Sequence, residues 1–218
     1  MRVLITGANR GIGRALFDGY DAAGARVIGT TRATAPSDGK WQQLDVTDPA
    51  SHARLAARLD GAPLDLLVCN AGVYLDKGQS LADGYPAAMW AETFAVNVTG
   101  VFLAVQALLP SLQHSGGGRI AIVSSQMASH TRAPGGSYIY RASKAAALNL
   151  GRNLAADLRG LGIAVGVYHP GWVRTDMGGA RAEISVEDAA RGLMARFAAL
   201  SLDTTGCFET WDGRPHPY

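Results

Sequence analysis

The feature that most limits what this chain can fold into is a rhythm. Short β-branched runs, RVLIT (2–6), RVIGTT (26–31), LDLLVC (64–69), RIAIVS (119–124) and IAVGVY (163–168), alternate with longer alanine-rich segments. Each run is apolar at consecutive positions rather than at every second one, so both of its faces need cover. A parallel sheet clad by helices meets that need. Helices are expected at 11–23, 48–59, 87–113, 138–160 and 185–200, and a further short strand ending at LDV (44–46). The repetition of strand and helix predicts one α/β domain over residues 1–218, a doubly wound parallel sheet with helices on both faces.

Composition agrees and excludes other classes. A chain of 218 residues, 48% of them hydrophobic, is long enough to bury about 70% of its unfolded surface. A net charge of +2 gives no electrostatic case for nucleic acid or an anionic membrane as partner. Cys69 and Cys207 form no disulfide framework and suit a reducing compartment. Met1 leads directly into the first apolar run, and no apolar run approaches the roughly 18 residues of a membrane span. A cytoplasmic location is expected. His52, His114, His130, His169 and His216 lack metal-ligand spacing, so no metal is expected.

In a doubly wound sheet the ligand lies beyond the carboxyl ends of the strands. The first strand ends in TGANRGIG, where Gly7, Gly11 and Gly13, with Asn9, Arg10 and Ile12 between them, make a loop for a pyrophosphate at a helix amino end. The spacing is G-x-x-x-G-x-G, not the commoner G-x-G-x-x-G. After the second strand, Thr31 and Arg32 stand where an NAD enzyme places an acid, and Arg10 adds a second cation. Arginine grips a 2′-phosphate that a carboxylate would repel, so NADP(H) is expected over NAD(H). Asp45 and Val46 follow the third strand, where the aspartate could meet an adenine amino group, while Asp48 suits a helix cap before Pro49. Asn70, Ala71 and Gly72 follow the fourth, leaving room for a cofactor.

The stretch YIYRASKAAALN (138–149) sets Tyr140 four residues before Lys144, on one helix face with Cβ atoms ~5–6 Å apart. Tyr138 falls on a different face. Taken with TGANRGIG, NAG, NVTG (97–100), SS (124–125) and YRASK (140–144), in that order, the pair makes the chain resemble the short-chain dehydrogenase/reductase family over essentially its whole length. GGSYIYRASKAAALN, HPGWVRTDMGG (169–179) and GCFETWDGRPHPY resemble most the C-factor/sniffer-like carbonyl reductase branch.

That resemblance implies a Rossmann-type fold and hydride transfer between NADP(H) and a carbonyl or alcohol substrate. Tyr140 is then the general acid or base. Lys144, with an oxidised nicotinamide, lowers the phenol's pKa; a shift of about 3 units corresponds to about 4 kcal/mol. Lys144 also holds the nicotinamide ribose, and Asn97 bends its helix and holds a water behind the lysine. Pro170, Gly171, Val173 and Thr175 lie in the segment that closes over the nicotinamide. Alternation along RIAIVSS does not decide between Ser124 and Ser125 as donor to the substrate carbonyl; the resemblance assigns Ser125. Ser125 precedes Tyr140 by fifteen residues, slightly beyond the family's usual spacing, with HTRAPGGS absorbing the excess. Trp90, Trp172 and Met177 are candidates for the substrate pocket. Helices 87–113 and 138–160 would form the face of a homodimer or homotetramer. A C-factor-like signalling protein that binds NADP(H) with little turnover is the alternative.

Overall fold

In a computed structural model describing residues 1–218, the apolar runs become β1 (Arg2–Ile5), β2 (Arg26–Thr31), β4 (Leu66–Cys69), β5 (Arg119–Val123) and β6 (Ala164–His169). Two short strands complete the sheet, β3 (Trp41–Gln43) and β7 (Phe208–Thr210). All seven are parallel in the order β3-β2-β1-β4-β5-β6-β7. The strand expected before LDV is β3 at 41–43, and beyond it only Leu44 N still reaches β2, at Thr31 O, 2.9 Å. Leu44 and Val46 are buried in the core. β7 was not expected from the sequence.

The helices are α1 (Gly11–Ala22), α2 (Pro49–Leu59), α3 (Ala87–Phe94), α4 (Gly100–His114), α5 (Tyr138–Arg159) and α6 (Val186–Ala199). The Asp48 carboxylate accepts from Ala50 N, so the cap expected before Pro49 is present. The single helix expected at 87–113 is instead α3, a π turn at Ala95–Thr99, and α4. A π turn inserts an extra residue per turn, a change that apolar spacing does not reveal. The run Ala87–His114 is also long and apolar enough by composition to cross a bilayer, contrary to the expectation that no segment is. Its apolar stripe, Val101, Ala104, Val105, Leu108 and Leu112, is spent on the core beneath the sheet.

Alternate residues along each central strand serve opposite faces. Leu4, Leu67, Ile120 and Ile122 pack with Leu55 of α2, Leu108 of α4 and Leu148 of α5. Val3, Ile5, Leu66, Val68 and Ala121 pack with Leu16 and Phe17 of α1 and Leu193 and Phe197 of α6. Each fully buried large side chain contributes about 1.5–3 kcal/mol. The chain winds outward from β1 to β3, then returns to place β4 on the other side of β1. That reversal opens a crevice at the carboxyl ends of β1 and β4, between the glycine loop and the NAG turn.

Candidate active site

The crevice begins at the glycine loop. Gly7 holds a left-handed backbone (φ +64°), and its N–H donates to Thr30 Oγ1 at 3.2 Å. A Cβ at Gly13 would collide with Gly7 O and with the Asn70 amide, so the loop closes only around glycine there. Asn70 braces this turn: its Nδ2 donates to Thr6 O at 3.0 Å and to Gly7 O at 3.1 Å. Thr6 Oγ1 accepts from Asn70 N and Ala71 N, both at 3.0 Å, locking the ends of β1 and β4 together. The α1 amino end carries no side-chain cap and no acid in its first turn, so its free N–H groups, from Gly11 through Gly13, are available to an anion.

The sites expected to select the cofactor stand at the neighbouring strand ends. Thr31 ends β2, with Oγ1 accepting from Ala33 N at 3.2 Å, and Arg32 is exposed and forms no salt bridge. Asp45 turns back on its own chain, accepting from Thr47 N at 2.9 Å and Thr47 Oγ1 at 2.7 Å. These bonds hold its carboxyl below the usual range, with a smaller contribution from Arg32. Arg10 pairs with Asp176 at 3.2 Å, an exposed contact worth at most about 1 kcal/mol. Asp176 lies in the segment after β6, as do Gly171, Val173 and Thr175, and a Cβ on Gly11 would lie 3.4 Å from Thr175 Cγ2. That segment thus meets the glycine loop across the crevice. Its far side is fastened by Lys77, whose Nζ donates to Met177 O at 3.2 Å.

Deeper in, β5 ends at the two serines. Ser124 Oγ donates to Lys144 O at 3.1 Å, so its proton is spent on α5. Ser125 Oγ accepts from Met127 N at 3.1 Å, as the cap of a short 3₁₀ turn (Gln126–Ala128), which leaves its own O–H free to donate. The two serines thus differ in their partners: the Ser124 hydroxyl donates to α5, and the Ser125 hydroxyl accepts within its own turn and lies beside the Tyr140 phenol.

Tyr140 is 7% exposed, in the first turn of α5, with its ring stacked on Tyr74 at 4.2 Å between centroids. Burial raises its pKa well above the usual phenol range; Ser125 opposes this, while Tyr74 and Asp76 add to it. Burial likewise brings Lys144 down to about 8. Lys144 Nζ donates to Val123 O at 3.0 Å and lies 5.6 Å from the Tyr140 ring centre. In the protein without cofactor, burial thus acts against the charged form of both groups, raising the phenol and lowering the ammonium.

Asn97 sits at the centre of the π turn. Its Oδ1 accepts from Val73 N at 2.8 Å, and its Nδ2 donates to Val73 O at 2.9 Å and Ser143 Oγ at 3.0 Å. Gly72 lies alongside, where a Cβ would come within 3.4 Å of Lys144 Nζ. One network thus ties β4, the π turn and α5. Of the pocket candidates, Trp172 is exposed with its Nε1 donating to Gly178 O, Met177 is exposed, and Trp90 stacks on Phe94. His169 is the last residue of β6, buried, with Nδ1 unpartnered. Sequence reasoning missed Tyr74 and Asp76, which reach α5 from the loop after β4.

The family model described as short chain dehydrogenase matches residues 1–184. The chain belongs to the short-chain dehydrogenase family. Within that family it is 37% identical over 158 residues to the C-signal of Myxococcus xanthus, covering 72% of this chain and 93% of the relative. The NADPH-bound carbonyl reductase from chicken fatty liver superposes with a TM-score of 0.90 at 30% identity, covering 100% of this chain and 98% of that one. The carbonyl reductase Sniffer of D. melanogaster gives 0.91 at 26% identity, with coverage of 100% and 99%. The branch read from the sequence is therefore borne out, and this short-chain dehydrogenase is an oxidoreductase by family.

Proposed function

We propose that this short-chain dehydrogenase is an NADP(H)-dependent carbonyl reductase in which Tyr140 gives its proton to the substrate carbonyl oxygen. The observation that carries the reading is the buried Tyr140 phenol beside Ser125, whose hydroxyl can still donate while it accepts from Met127 N. Ser125 donates to the carbonyl oxygen and holds it beside Tyr140 Oη, supporting the negative charge that develops there. The phenol proton then passes to that oxygen, leaving a phenolate one turn from Lys144.

The cradle at Gly7 and Gly13, the open amino end of α1 and the unpaired Arg32 fit a dinucleotide bearing a 2′-phosphate. NADPH, when bound there, supplies the hydride for the carbonyl carbon. Gly7, Asn9, Arg10, Gly11, Ile12 and Gly13 would hold the pyrophosphate side, and Arg32, Asp45 and Val46 the adenosine side. Asn70, Ala71, Gly72, Lys144, Pro170, Gly171, Val173 and Thr175 would border the ring end. Only residues 180–185 separate the closing segment from α6, so little chain covers the substrate, and broad selectivity follows.

The test is a panel of aldehydes, ketones and quinones assayed with NADPH by loss of nicotinamide absorbance. Turnover of several carbonyl compounds supports the reading; no turnover of any rejects it. The likeness to C-signal supports a second reading, a cofactor-binding signal protein with little turnover. In that case Tyr140→Phe leaves its output unchanged.

A further inference from the structure

The first turn of α5 is capped from a distance. Ser137, the residue before the helix, has a left-handed backbone (φ +50°) and does not cap it; its hydroxyl is paired with the Tyr74 hydroxyl. The acceptor for the helix N–H groups is Asp76. Its carboxylate takes Ile139 N at 2.9 Å and Tyr140 N at 3.2 and 3.3 Å. Asp76 is wholly buried and forms no salt bridge with any lysine or arginine.

A buried carboxylate without a cation is costly unless hydrogen bonds and dipoles replace its water. Here the amino end of a 22-residue helix supplies both. Capping alone does not require the charge, because an asparagine oxygen accepts the same N–H bonds. The charge has a second object within reach, the phenol of the residue whose N–H it holds.

We propose that Asp76 is a positioning residue for Tyr140, fixing the first turn of α5 so that the phenol is held between the Tyr74 ring and Ser125. The proposal rests on the reading of Tyr140 as proton donor. The charge acts in the same sense as the geometry. Burial is the main cause of the phenol's raised pKa, and Tyr74 and Asp76 add to it against Ser125. The titratable groups bearing on the phenol are Tyr74 and Asp76 from the loop after β4 and Lys144 from α5 itself. Ser125 and Asn97, from the end of β5 and the π turn, do not ionise in the working range.

Two variants separate the roles. Asp76→Ala should lower kcat for carbonyl reduction by about 10–100-fold, with the NADPH Kd within about twofold of wild type. Amide exchange at Ile139 and Tyr140 should speed up in the same variant. Asp76→Asn should retain that protection and most of kcat, while the loss of activity at high pH moves down by roughly half a pH unit. Asp48→Asn, the matched change at the α2 cap, should leave both that helix and the pH profile close to wild type. Unchanged exchange in Asp76→Ala overturns the positioning role whatever the activity, and an unmoved profile in Asp76→Asn overturns the role of the charge. If the wild type reduces no carbonyl, the reaction is rejected, while exchange at the two amides still decides whether Asp76 fixes the turn.

Discussion

Lys144 lies one helical turn from Tyr140, yet its ammonium donates to Val123 O at 3.0 Å and stands 5.6 Å from the phenol ring centre rather than on the hydroxyl. Spacing on the helix brings the two side chains to one face, and burial then governs their charges. A lysine brought down to about 8 is a charge kept in the core at the expense of stability.

Lys144→Met should therefore stabilise the protein while abolishing turnover. The folded pKa of about 8 is below the ordinary lysine value of 10.5, so between those pH values the unfolded chain binds more protons. Stability then rises with pH through that window, and the full cost is present below it. The shift corresponds to roughly 3 kcal/mol at most, reduced by about 1 for the lost bond to Val123 O. Urea unfolding at pH 7 should show the gain, and at pH 10 the gain should be nearly gone.

His169 works on the acid side. Burial first, then His216 and Arg132, push it down to about 4 from 6.5. The unfolded chain takes up this proton near pH 6.5 and the native chain only near 4, so stability is lost as pH falls through that window. In His169→Gln the decline in unfolding free energy from pH 7 to 4 should be smaller by about 2–3 kcal/mol. An identical decline in both proteins would show that another group sets the acid limb.

How much was legible before folding depended on where each residue sits. The central strands are apolar because helices cover both faces, so β1, β2, β4, β5 and β6 were visible at once. The edges were not. In β3 only Trp41 is buried, and Gln42 and Gln43 carry no apolar signal, while β7 is three residues long. The glycine loop and the Tyr140–Lys144 pair could be read because their spacing is local. Tyr74 and Asp76 act across 63 residues, a contact no local pattern records. The different partners of Ser124 and Ser125 were likewise invisible in the sequence, because alternation along RIAIVSS records neither bond.

In the proposed NADP(H) reading cofactor preference turns on Arg32, which is exposed, unpaired and placed after Thr31 instead of an acid. Arg32→Asp should shift the ratio of kcat/KM for NADPH over NADH by about 10–100-fold toward NADH, through loss of one charged bond and gain of repulsion. Titration of both cofactors against wild type and variant measures it. An unchanged ratio removes Arg32 from the account.

The most direct measurement is single-turnover carbonyl reduction by Tyr140→Phe, with NADPH affinity measured in parallel. The account predicts a rate lower by about 10²–10⁴-fold, the contribution of a positioned acid, with cofactor affinity within a few-fold of wild type. A variant that reduces the same carbonyl compounds at the wild-type rate would contradict it, because the proton would then come from somewhere other than this phenol.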